Sequence, residues 1–252
     1  MVSLNDIKQH CIPLHIAVIM DGNGRWAQKK GKDRIFGHQQ GVEAVRKTIE
    51  ACVEIGVKYL TVYAFSTENW KREPEEVNAL MSLFVNACNA EMDNLHKNNV
   101  QVKAIGDFSM LSIECTTELQ KLMDTTKNNT ALTFVIAISY GSRWEITRAA
   151  KLIATEVQNN QINIDEIDEN LFDSYLQTNQ FDIPNPDLLI RTSEEYRLSN
   201  FLLWQLAYAE LYFTNVLWPD FTREELMKAI DDFQHRTRRF GKTTEQIINE
   251  LK

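Results

Sequence analysis

Six short apolar runs recur along the chain, separated by longer stretches in which apolar residues return every three or four positions. Several runs hold consecutive β-branched or aliphatic residues, which is typical of strands that are covered on both faces. The predicted strands are Ile16–Met20, Tyr59–Phe65, Val100–Ile105, Leu132–Ser139, Leu188–Arg191 and Leu211–Thr214.

The stretches between the strands predict helices, because their apolar residues follow the helical period. These helices are Gln39–Ile55, Pro74–Asn98, Ser109–Lys127, Arg143–Gln158, Asp165–Gln177, Leu198–Ala209 and Thr222–Phe240. Alternating strands and helices predict an α/β fold with a mostly parallel central sheet of about six strands flanked by helices. No repeat or linker rich in proline and glycine divides the chain, so we predict a single domain over residues 1–252.

Polar segments follow the predicted strands at the point where each strand ends. Asp21–Trp26 follows the first strand, Ser66–Trp70 the second, and Thr192-Ser193 the fifth; Gly106-Asp107 and Tyr140-Gly141 follow the third and fourth. In a parallel sheet these points share the carboxyl edge, where open α/β folds bind ligands. The sequence therefore predicts a binding site at this edge.

The overall charge narrows the choice of partners. The net charge of -8, from 27 basic and 35 acidic residues, argues against a nucleic-acid binder, whose affinity depends on a basic surface. The four cysteines show no paired spacing and are interpreted as small apolar residues of a reducing compartment. The polar stretch 1–15 differs from a signal peptide, and Gln205 and Glu210 interrupt the apolar run Phe201–Phe213. We therefore expect a cytoplasmic protein with at most peripheral membrane contact.

The first loop combines features of a phosphate site. Gly22 and Gly24 flank Asn23 and allow backbone N–H groups to approach an anion, while Arg25 suits phosphate oxygens and Asp21 suits Mg²⁺. A plain turn between strand and helix explains the same residues taken alone. Arg34 and His38 follow, just before a predicted helix, where they could bind phosphate or serve as a cap and a surface histidine.

Two further clusters lie at strand ends. The second loop places Ser66, Thr67, Glu68, Asn69, Trp70 and Arg72 after a buried strand. Trp70 could lie on a ligand or simply cover the rim of the core. The third cluster has Arg191 closing an apolar strand, which is costly for an unpaired arginine, and then Arg197, Leu198 and Ser199. Glu210, among aromatic and aliphatic residues, fits either a metal ligand or a salt-bridge partner.

The predicted helix over Pro74–Asn98 has an unusually broad apolar face. Its stripe is Val77, Leu80, Met81, Phe84, Cys88, Met92 and Leu95, widened by Leu83, Val85 and Ala87. Core packing accounts for such a stripe, and so does the wall of an apolar tunnel. Two anion sites beside such a tunnel fit two diphosphates and a long hydrocarbon. Because the chain has no DDxxD pair, an all-trans prenyl synthase is disfavoured.

Taken together, these motifs resemble the cis-prenyltransferase family. The matching segments are His15–Ala27, Arg34–His38, Tyr63–Arg72, Arg191–Ser193, Arg197–Gln205, Glu210 and Trp218–Phe221. The resemblance implies stepwise addition of isopentenyl diphosphate to an allylic starter such as farnesyl diphosphate. The implied product is a long-chain cis-polyprenyl diphosphate, the undecaprenyl precursor of the lipid carrier for cell-wall glycans.

The resemblance also implies roles for individual residues. Asp21 would hold Mg²⁺ at the allylic diphosphate, and Glu210 would assist on the metal. Residues 22–26, Arg34 and His38 would bind the allylic diphosphate, and Arg191, Arg197, Leu198 and Ser199 the isopentenyl diphosphate. Asn69 matches the position assigned to proton removal; a carboxamide is a poor base, so we expect it to orient the homoallylic unit. Residues 66–68, Trp70 and Arg72 would position substrate or close a lid.

The sequence departs from the family pattern at two positions and leaves three alternatives open. Glu194 stands where glycine is usual, and Tyr196 where some members have a metal-assisting histidine. The alternatives are a different product length, a non-catalytic partner subunit of the same fold, and a phosphate-binding protein unrelated to lipids. The intact segment Asp21–Arg25 disfavours the second, and the wide apolar stripe the third. The family resemblance also implies a homodimer, for which Phe201–Trp218 could supply the interface.

Overall fold

Six parallel strands form the sheet of this protein, of which a computed structural model describes residues 3–238. The strands are β1 (His15–Ile19), β2 (Tyr59–Ser66), β3 (Val100–Ile105), β4 (Leu132–Tyr140), β5 (Leu188–Arg191) and β6 (Glu210–Phe213). They pair in the order β3-β4-β2-β1-β5-β6, and every pairing is parallel. The predicted single α/β domain is confirmed, and so are all six predicted strands.

Nine α-helices accompany the sheet within residues 3–238. They are α1 (Leu4–Lys8), α2 (Asn23–Lys29), α3 (Arg34–Ile55), α4 (Pro74–Lys97), α5 (Ile113–Thr126), α6 (Ser142–Gln158), α7 (Glu169–Ser174), α8 (Gln177–Gln180) and α9 (Arg223–Gln234). The predicted helix over Asp165–Gln177 is instead divided among a 3-10 turn, α7 and the start of α8. Arg239 and Phe240, at the end of the predicted helix over Thr222–Phe240, lie outside the described residues.

Two helix boundaries near the first loop differ from the prediction. Helix α3 begins at Arg34 rather than Gln39, because the side chain of Asp33 accepts a hydrogen bond from Phe36 N at 2.8 Å and caps the first turn. His38 therefore lies inside the helix and not before it. The segment from Asn23 is also helical, since it forms α2 instead of a plain turn.

The predicted helix over Leu198–Ala209 is wrong, because this segment folds as a series of turns. Ser199, Asn200 and Leu202 have φ values of 49°, 63° and 46°, in the left-handed region that interrupts an α-helix. Contacts with distant parts of the chain add to the local hydrogen bonds of these turns. One example is Leu203 N, which donates to Ser142 Oγ at 2.9 Å.

The sheet buries both of its faces, as the consecutive apolar runs predicted. Alternate residues of β1 point to opposite sides: Ile16 and Val18 belong to the larger core, and Ala17 and Ile19 to the smaller one. Helices α3, α4, α5 and α9 contribute to the larger core. Phe201, Leu202 and Leu206, from the segment of turns, contribute to the smaller core.

The cysteines form no disulfide, and three of the four are buried as expected, whereas Cys11 is exposed. Among the described residues, no helix has the length and apolar character needed to cross a bilayer.

Candidate active site

The carboxyl ends of β1 and β5 bring the first loop and the arginine cluster into direct contact. Ile19 is the register partner of Arg191. The segments that follow β1 and β5 therefore lie side by side, and they contain Asp21 and Thr192. Thr192 Oγ1 accepts a hydrogen bond from Asp21 N at 2.9 Å and donates one to Asp21 O at 2.7 Å. This pair of bonds fixes the backbone of the residue predicted to hold the metal.

The Asp21 carboxylate lies between two guanidinium groups. Arg25 Nη2 is 3.1 Å from one oxygen, and Arg191 Nη2 is 3.0 Å from the other. Arg25 also contacts Glu195 Oε1 at 3.1 Å. The two predicted anion sites are therefore one connected cluster, because Arg191 donates from Nη1 to Ser199 Oγ at 2.8 Å and to Arg197 O.

Arg191 carries an unused hydrogen-bond donor into this cluster. The residue is only 2% exposed, and its buried Nε has no partner within the described part of the chain. An unsatisfied buried donor of a charged group costs free energy, and an anionic oxygen would remove that cost. The arrangement is ready for a phosphate group.

Glycines let the first loop approach its neighbours closely. Gly22 has a φ of 107° and precedes α2; a Cβ there would lie 2.9 Å from both Leu217 Cδ2 and Ser193 Oγ. No side chain caps α2 at Gly22. On α3, a Cβ at Gly37 would lie 2.0 Å from Asn23 O, so only glycine permits the observed packing of α3 on the loop.

The second loop is held by a reciprocal capping interaction. Ser66 Oγ accepts a hydrogen bond from Asn69 N at 3.2 Å, and Ser66 N donates to Asn69 Oδ1 at 3.0 Å. Because a backbone N–H can only donate, the Asn69 amide must turn its oxygen toward Ser66. The group that Asn69 can still offer a substrate is its NH₂, which is a donor and not a base.

Three basic side chains lie near the start of α3. Arg34 and Arg72 both contact Glu76 Oε1, at 3.4 and 2.9 Å. Burial, together with the positive charges of Arg72 and Arg34, lowers the pKa of His38 to about 4. His38 is therefore neutral at pH 7 and would contribute a hydrogen bond rather than a charge.

A cavity of about 900 Å³ opens at this edge and extends between the sheet and the helices α3 and α4. Its lining is mainly aliphatic and aromatic, and includes Val62, Phe134, Ile136 and Ile138 from the sheet and Leu122 from α5. Along α3 the lining runs from His38 to Glu54, which is roughly 24 Å at the helical rise per residue. This is the space that the tunnel prediction requires.

Helix α4 forms one wall of the cavity, as its broad apolar face predicted. Leu80, Met81, Phe84, Cys88 and Leu95 of the predicted stripe line the space, as do Leu83 and Ala87. The opposite wall on α3 was missed, although Val42, Val45, Ile49 and Val53 have the same helical spacing. Arg46 on α3 forms a bidentate ion pair with Glu91 on α4, so the two walls are joined across the cavity.

The predicted site residues divide into two groups by their relation to the cavity. Those that line it are Asp21, Asn23, His38, Ser66, Glu68, Asn69, Arg72, Arg191, Arg197 and Ser199. Those outside its lining are Gly22, Gly24, Arg25, Trp26, Arg34, Thr67, Trp70, Leu198 and Glu210.

The two tryptophans of the predicted site have structural partners. Trp26 stacks on Phe36 and donates from Nε1 to Asp220 Oδ1 at 2.7 Å. Trp70 packs edge-on against Phe65 and donates from Nε1 to Ser139 Oγ at 3.0 Å. Both rings therefore pack against protein groups. For Trp70 this is the alternative in which its ring covers the rim of the core.

Within one chain Glu210 does not meet Asp21, and its role on the metal stays a prediction. It is the first residue of β6 and pairs with Leu188, whereas Phe213 pairs with Arg191 at the other end of the strands. The three residue steps from Glu210 to Phe213 place Glu210 roughly 10 Å from the carboxyl edge. Its carboxylate instead accepts from Arg236 Nη1 at 2.9 Å, which is the salt-bridge alternative.

Glu194 and Tyr196, the two departures from the family pattern, differ in backbone conformation and in exposure. Glu194 has a φ of 58°, a left-handed conformation in which glycine is favoured, so its side chain is accommodated with backbone strain. Tyr196 is 72% exposed and packs its ring on Phe213 at 5.3 Å between centroids.

The metal prediction rests on Asp21. Among residues 3–238, no three acidic, histidine or cysteine side chains are grouped in a way that could hold a metal ion. Mg²⁺ is commonly held by one or two carboxylates together with substrate phosphates. Asp21, next to guanidinium groups that suit a diphosphate, fits that manner of binding but not a site built from protein ligands alone.

Known proteins share this sequence over most of its length. A prenyltransferase family model described as undecaprenyl diphosphate synthase matches residues 19–241. An isoprenyl transferase of Clostridium tetani is 52% identical over 230 residues, covering 91% of this chain and 89% of the relative. A ditrans,polycis-undecaprenyl-diphosphate synthase of Haemophilus influenzae, named as (2E,6E)-farnesyl-diphosphate specific, is 52% identical over 238 residues, covering 94% and 99%.

Solved structures share the fold. Lavandulyl diphosphate synthase from Lavandula x intermedia, in complex with dimethylallyl diphosphate, has a TM-score of 0.89 at 37% identity and covers 92% of this chain and 99% of its own. A probable undecaprenyl diphosphate synthase from Campylobacter jejuni has a TM-score of 0.76 at 36% identity, covering 91% and 99%. With the diphosphate-ready edge and the apolar cavity, these matches show that the chain belongs to the undecaprenyl diphosphate synthase family of cis-prenyltransferases.

Proposed function

We propose that this protein adds isopentenyl diphosphate stepwise to farnesyl diphosphate with cis geometry and makes undecaprenyl diphosphate, the precursor of the lipid carrier for cell-wall glycans. One observation carries the proposal: the Asp21–Arg191 cluster, with its unused Arg191 Nε, opens directly onto an apolar cavity. A diphosphate head and a growing hydrocarbon tail need that combination. The relatives named as farnesyl-diphosphate specific support the choice of starter.

Electrostatic stabilisation is the main catalytic contribution of the chain in this proposal. Arg25 neutralises charge where the allylic diphosphate departs, and neutral His38 adds a hydrogen bond. Arg191 belongs to the isopentenyl diphosphate side but also contacts Asp21, so its charge acts on both diphosphates. A bound Mg²⁺, held by Asp21 and diphosphate oxygens, would add positive charge at the same place. Arg197 and Ser199 hold the diphosphate of the incoming isopentenyl unit.

Asn69 positions the homoallylic unit and does not remove its proton. Its Oδ1 already accepts from Ser66 N, so only the NH₂ faces a substrate. The departing diphosphate, or a water molecule beside it, is the base that accepts the proton.

The proposal also includes a homodimer. β6 is an edge strand, and Leu203, Tyr208 and Leu211 are exposed near it, whereas Phe201 and Trp218 are buried in the core. We expect two copies to pair through this exposed part, and sedimentation would show a dimer. A cytoplasmic location and peripheral membrane contact during product release stay predictions.

The decisive experiment supplies the purified protein with farnesyl diphosphate, labelled isopentenyl diphosphate and Mg²⁺, and sizes the dephosphorylated products. We expect successive additions that end in one dominant long chain, and no additions when the metal is chelated. A single addition would indicate a short-chain enzyme of the same fold. No incorporation at all would refute the proposed reaction.

A further inference from the structure

Asn200, which belongs to the matching segment Arg197–Gln205, lies where three strand-end loops meet. Gly141 follows β4 and provides no side chain to cap α6. Asn200 supplies two acceptors for the first turn of α6 from a distant part of the chain. Ser142 N donates to its backbone oxygen at 2.8 Å, and Arg143 N donates to its Oδ1 at 2.9 Å.

The other end of the same amide binds the second loop. Asn200 Nδ2 donates to Glu68 Oε1 at 2.8 Å, next to Asn69. Thus the acceptor of the amide is used by α6 and its donor by the loop after β2. Aspartate could not donate to Glu68, and an aliphatic side chain could make neither bond.

The residues next to Asn200 leave little room at its contact with Glu68. A Cβ at Gly141 would lie 2.8 Å from Asn200 Nδ2 and 2.5 Å from Thr67 Oγ1, so a larger residue would separate the loops. Asn200 itself has a φ of 63°, an unfavourable region that asparagine tolerates better than most residues. Ser199, directly before it, accepts from Arg191 and lines the cavity with Arg197.

We propose that Asn200 is a positioning residue that holds the isopentenyl diphosphate cradle, Arg197 and Ser199, in register with the Asn69 loop. The inference rests on the proposed function, because it assigns substrates to the two sides of the site. Asp21 and its backbone bonds to Thr192 are independent of Asn200. Disturbing Asn200 therefore weakens binding of isopentenyl diphosphate and leaves binding of the allylic starter nearly unchanged.

The test uses a reciprocal pair of substitutions. Asn200→Asp keeps the acceptor for Arg143 but places a second carboxylate against Glu68. Adding Glu68→Gln restores a donor–acceptor pair with the roles reversed. We expect Asn200→Asp to raise KM for isopentenyl diphosphate about tenfold and KM for farnesyl diphosphate less than about twofold. In the Glu68→Gln background the same substitution should cost much less, which a double-mutant cycle measures.

Controls separate positioning from folding. Asn129 donates to Val100 O at 2.8 Å at the amino edge of the sheet, so Asn129→Ala should lower stability without changing either KM. If Asn200→Asp does not fold, Asn200→Ala removes both side-chain bonds without adding charge and repeats the KM comparison. Equal rises in both KM values, or no recovery in the double variant, would overturn the proposal. A wild-type protein that incorporates no isopentenyl diphosphate would instead refute the proposed function.

Discussion

Asp21 combines a fixed backbone with a carboxylate whose partners can be exchanged. Its N–H and C=O both bond to Thr192 Oγ1, whereas its oxygens face Arg25 and Arg191. The side chain is 28% exposed, so the two ion pairs contribute less to stability than buried pairs would. An arriving diphosphate can therefore take over the guanidinium groups without moving the loop.

Replacing Asp21 should separate activity from folding. We expect Asp21→Ala to lower kcat by at least about 10²–10³-fold, because the charge that organises metal and guanidinium groups is lost. The bonds to Thr192 involve only the backbone, so the thermal midpoint should change little. Single-turnover assays and thermal unfolding measure the two effects. As a control, Asp168→Ala removes the cap of α7, where Leu171 N donates at 2.7 Å, and should affect stability alone. Normal elongation by Asp21→Ala would contradict the metal assignment.

Helices α2 and α3 are in contact through bare backbone, and this contact sets the position of the first loop. A Cβ at Gly37 would meet Asn23 O at 2.0 Å, and one at Gly41 would meet Asn23 Oδ1 at 2.5 Å. Asn23 O is a backbone atom and cannot move without shifting the helix that follows Asp21, whereas Asn23 Oδ1 belongs to a side chain. The two glycines of α3 thus determine how closely the cavity wall approaches the diphosphate site.

Adding a single methyl group at this contact, and measuring the change in the free energy of unfolding, tests how tightly α2 and α3 pack. Gly37→Ala should destabilise the fold by about 1–3 kcal/mol, since backbone must shift to admit it. Gly24→Ala is the matched comparison within α2, where the atoms nearest the new Cβ belong to the flexible Arg34 side chain, at 3.4 Å. That substitution should be neutral or stabilising by about 0.5–1 kcal/mol. Urea unfolding measures both variants, and equal midpoints would show that the α2–α3 contact yields easily.

The two edges of the sheet differ in what they carry. The carboxyl edge carries the site, and the amino edge carries buried structural contacts. His15 is fully buried there, with Nδ1 2.6 Å from Pro184 O and Nε2 2.7 Å from Thr61 Oγ1. Because a carbonyl only accepts, Nδ1 carries the proton and Nε2 accepts from the threonine. Burial lowers the pKa of His15 to about 4.

This histidine should make the fold sensitive to mild acid. Below the ordinary histidine pKa of 6.5 the unfolded chain binds a proton that folded His15 does not bind until about pH 4. The stability contribution is therefore complete above pH 6.5 and is lost as the pH falls toward 4, by roughly 3 kcal/mol. Urea unfolding across this range measures the loss. His15→Gln should reduce the slope, and an unchanged slope would assign the acid sensitivity to other groups, such as His38.

Local patterns in the sequence determined the strands, the α4 wall and the edge where the loops converge. Each of these follows from a short-range property: a run of β-branched residues, a helical repeat, or a polar segment after a strand. The family motifs indicated a cis-prenyltransferase, and the shared sequence and fold confirmed that family. The residues lining the α3 wall could have been predicted in the same way, because Val42, Val45, Ile49 and Val53 repeat at helical spacing.

Tertiary structure alone decided which of these residues work together. Leu198–Ala209 has a helical pattern, yet hydrogen bonds with Arg191, Ser142 and Arg143 hold it in turns. Glu210 is close in sequence to the site but lies at the amino edge of the sheet. It begins β6, whereas the site lies where β5 and β6 end. The sequence by itself specified the elements and the chemical groups. Long-range contacts selected the partners of Asp21, Trp70 and Asn200, since such contacts leave no periodic trace in the chain.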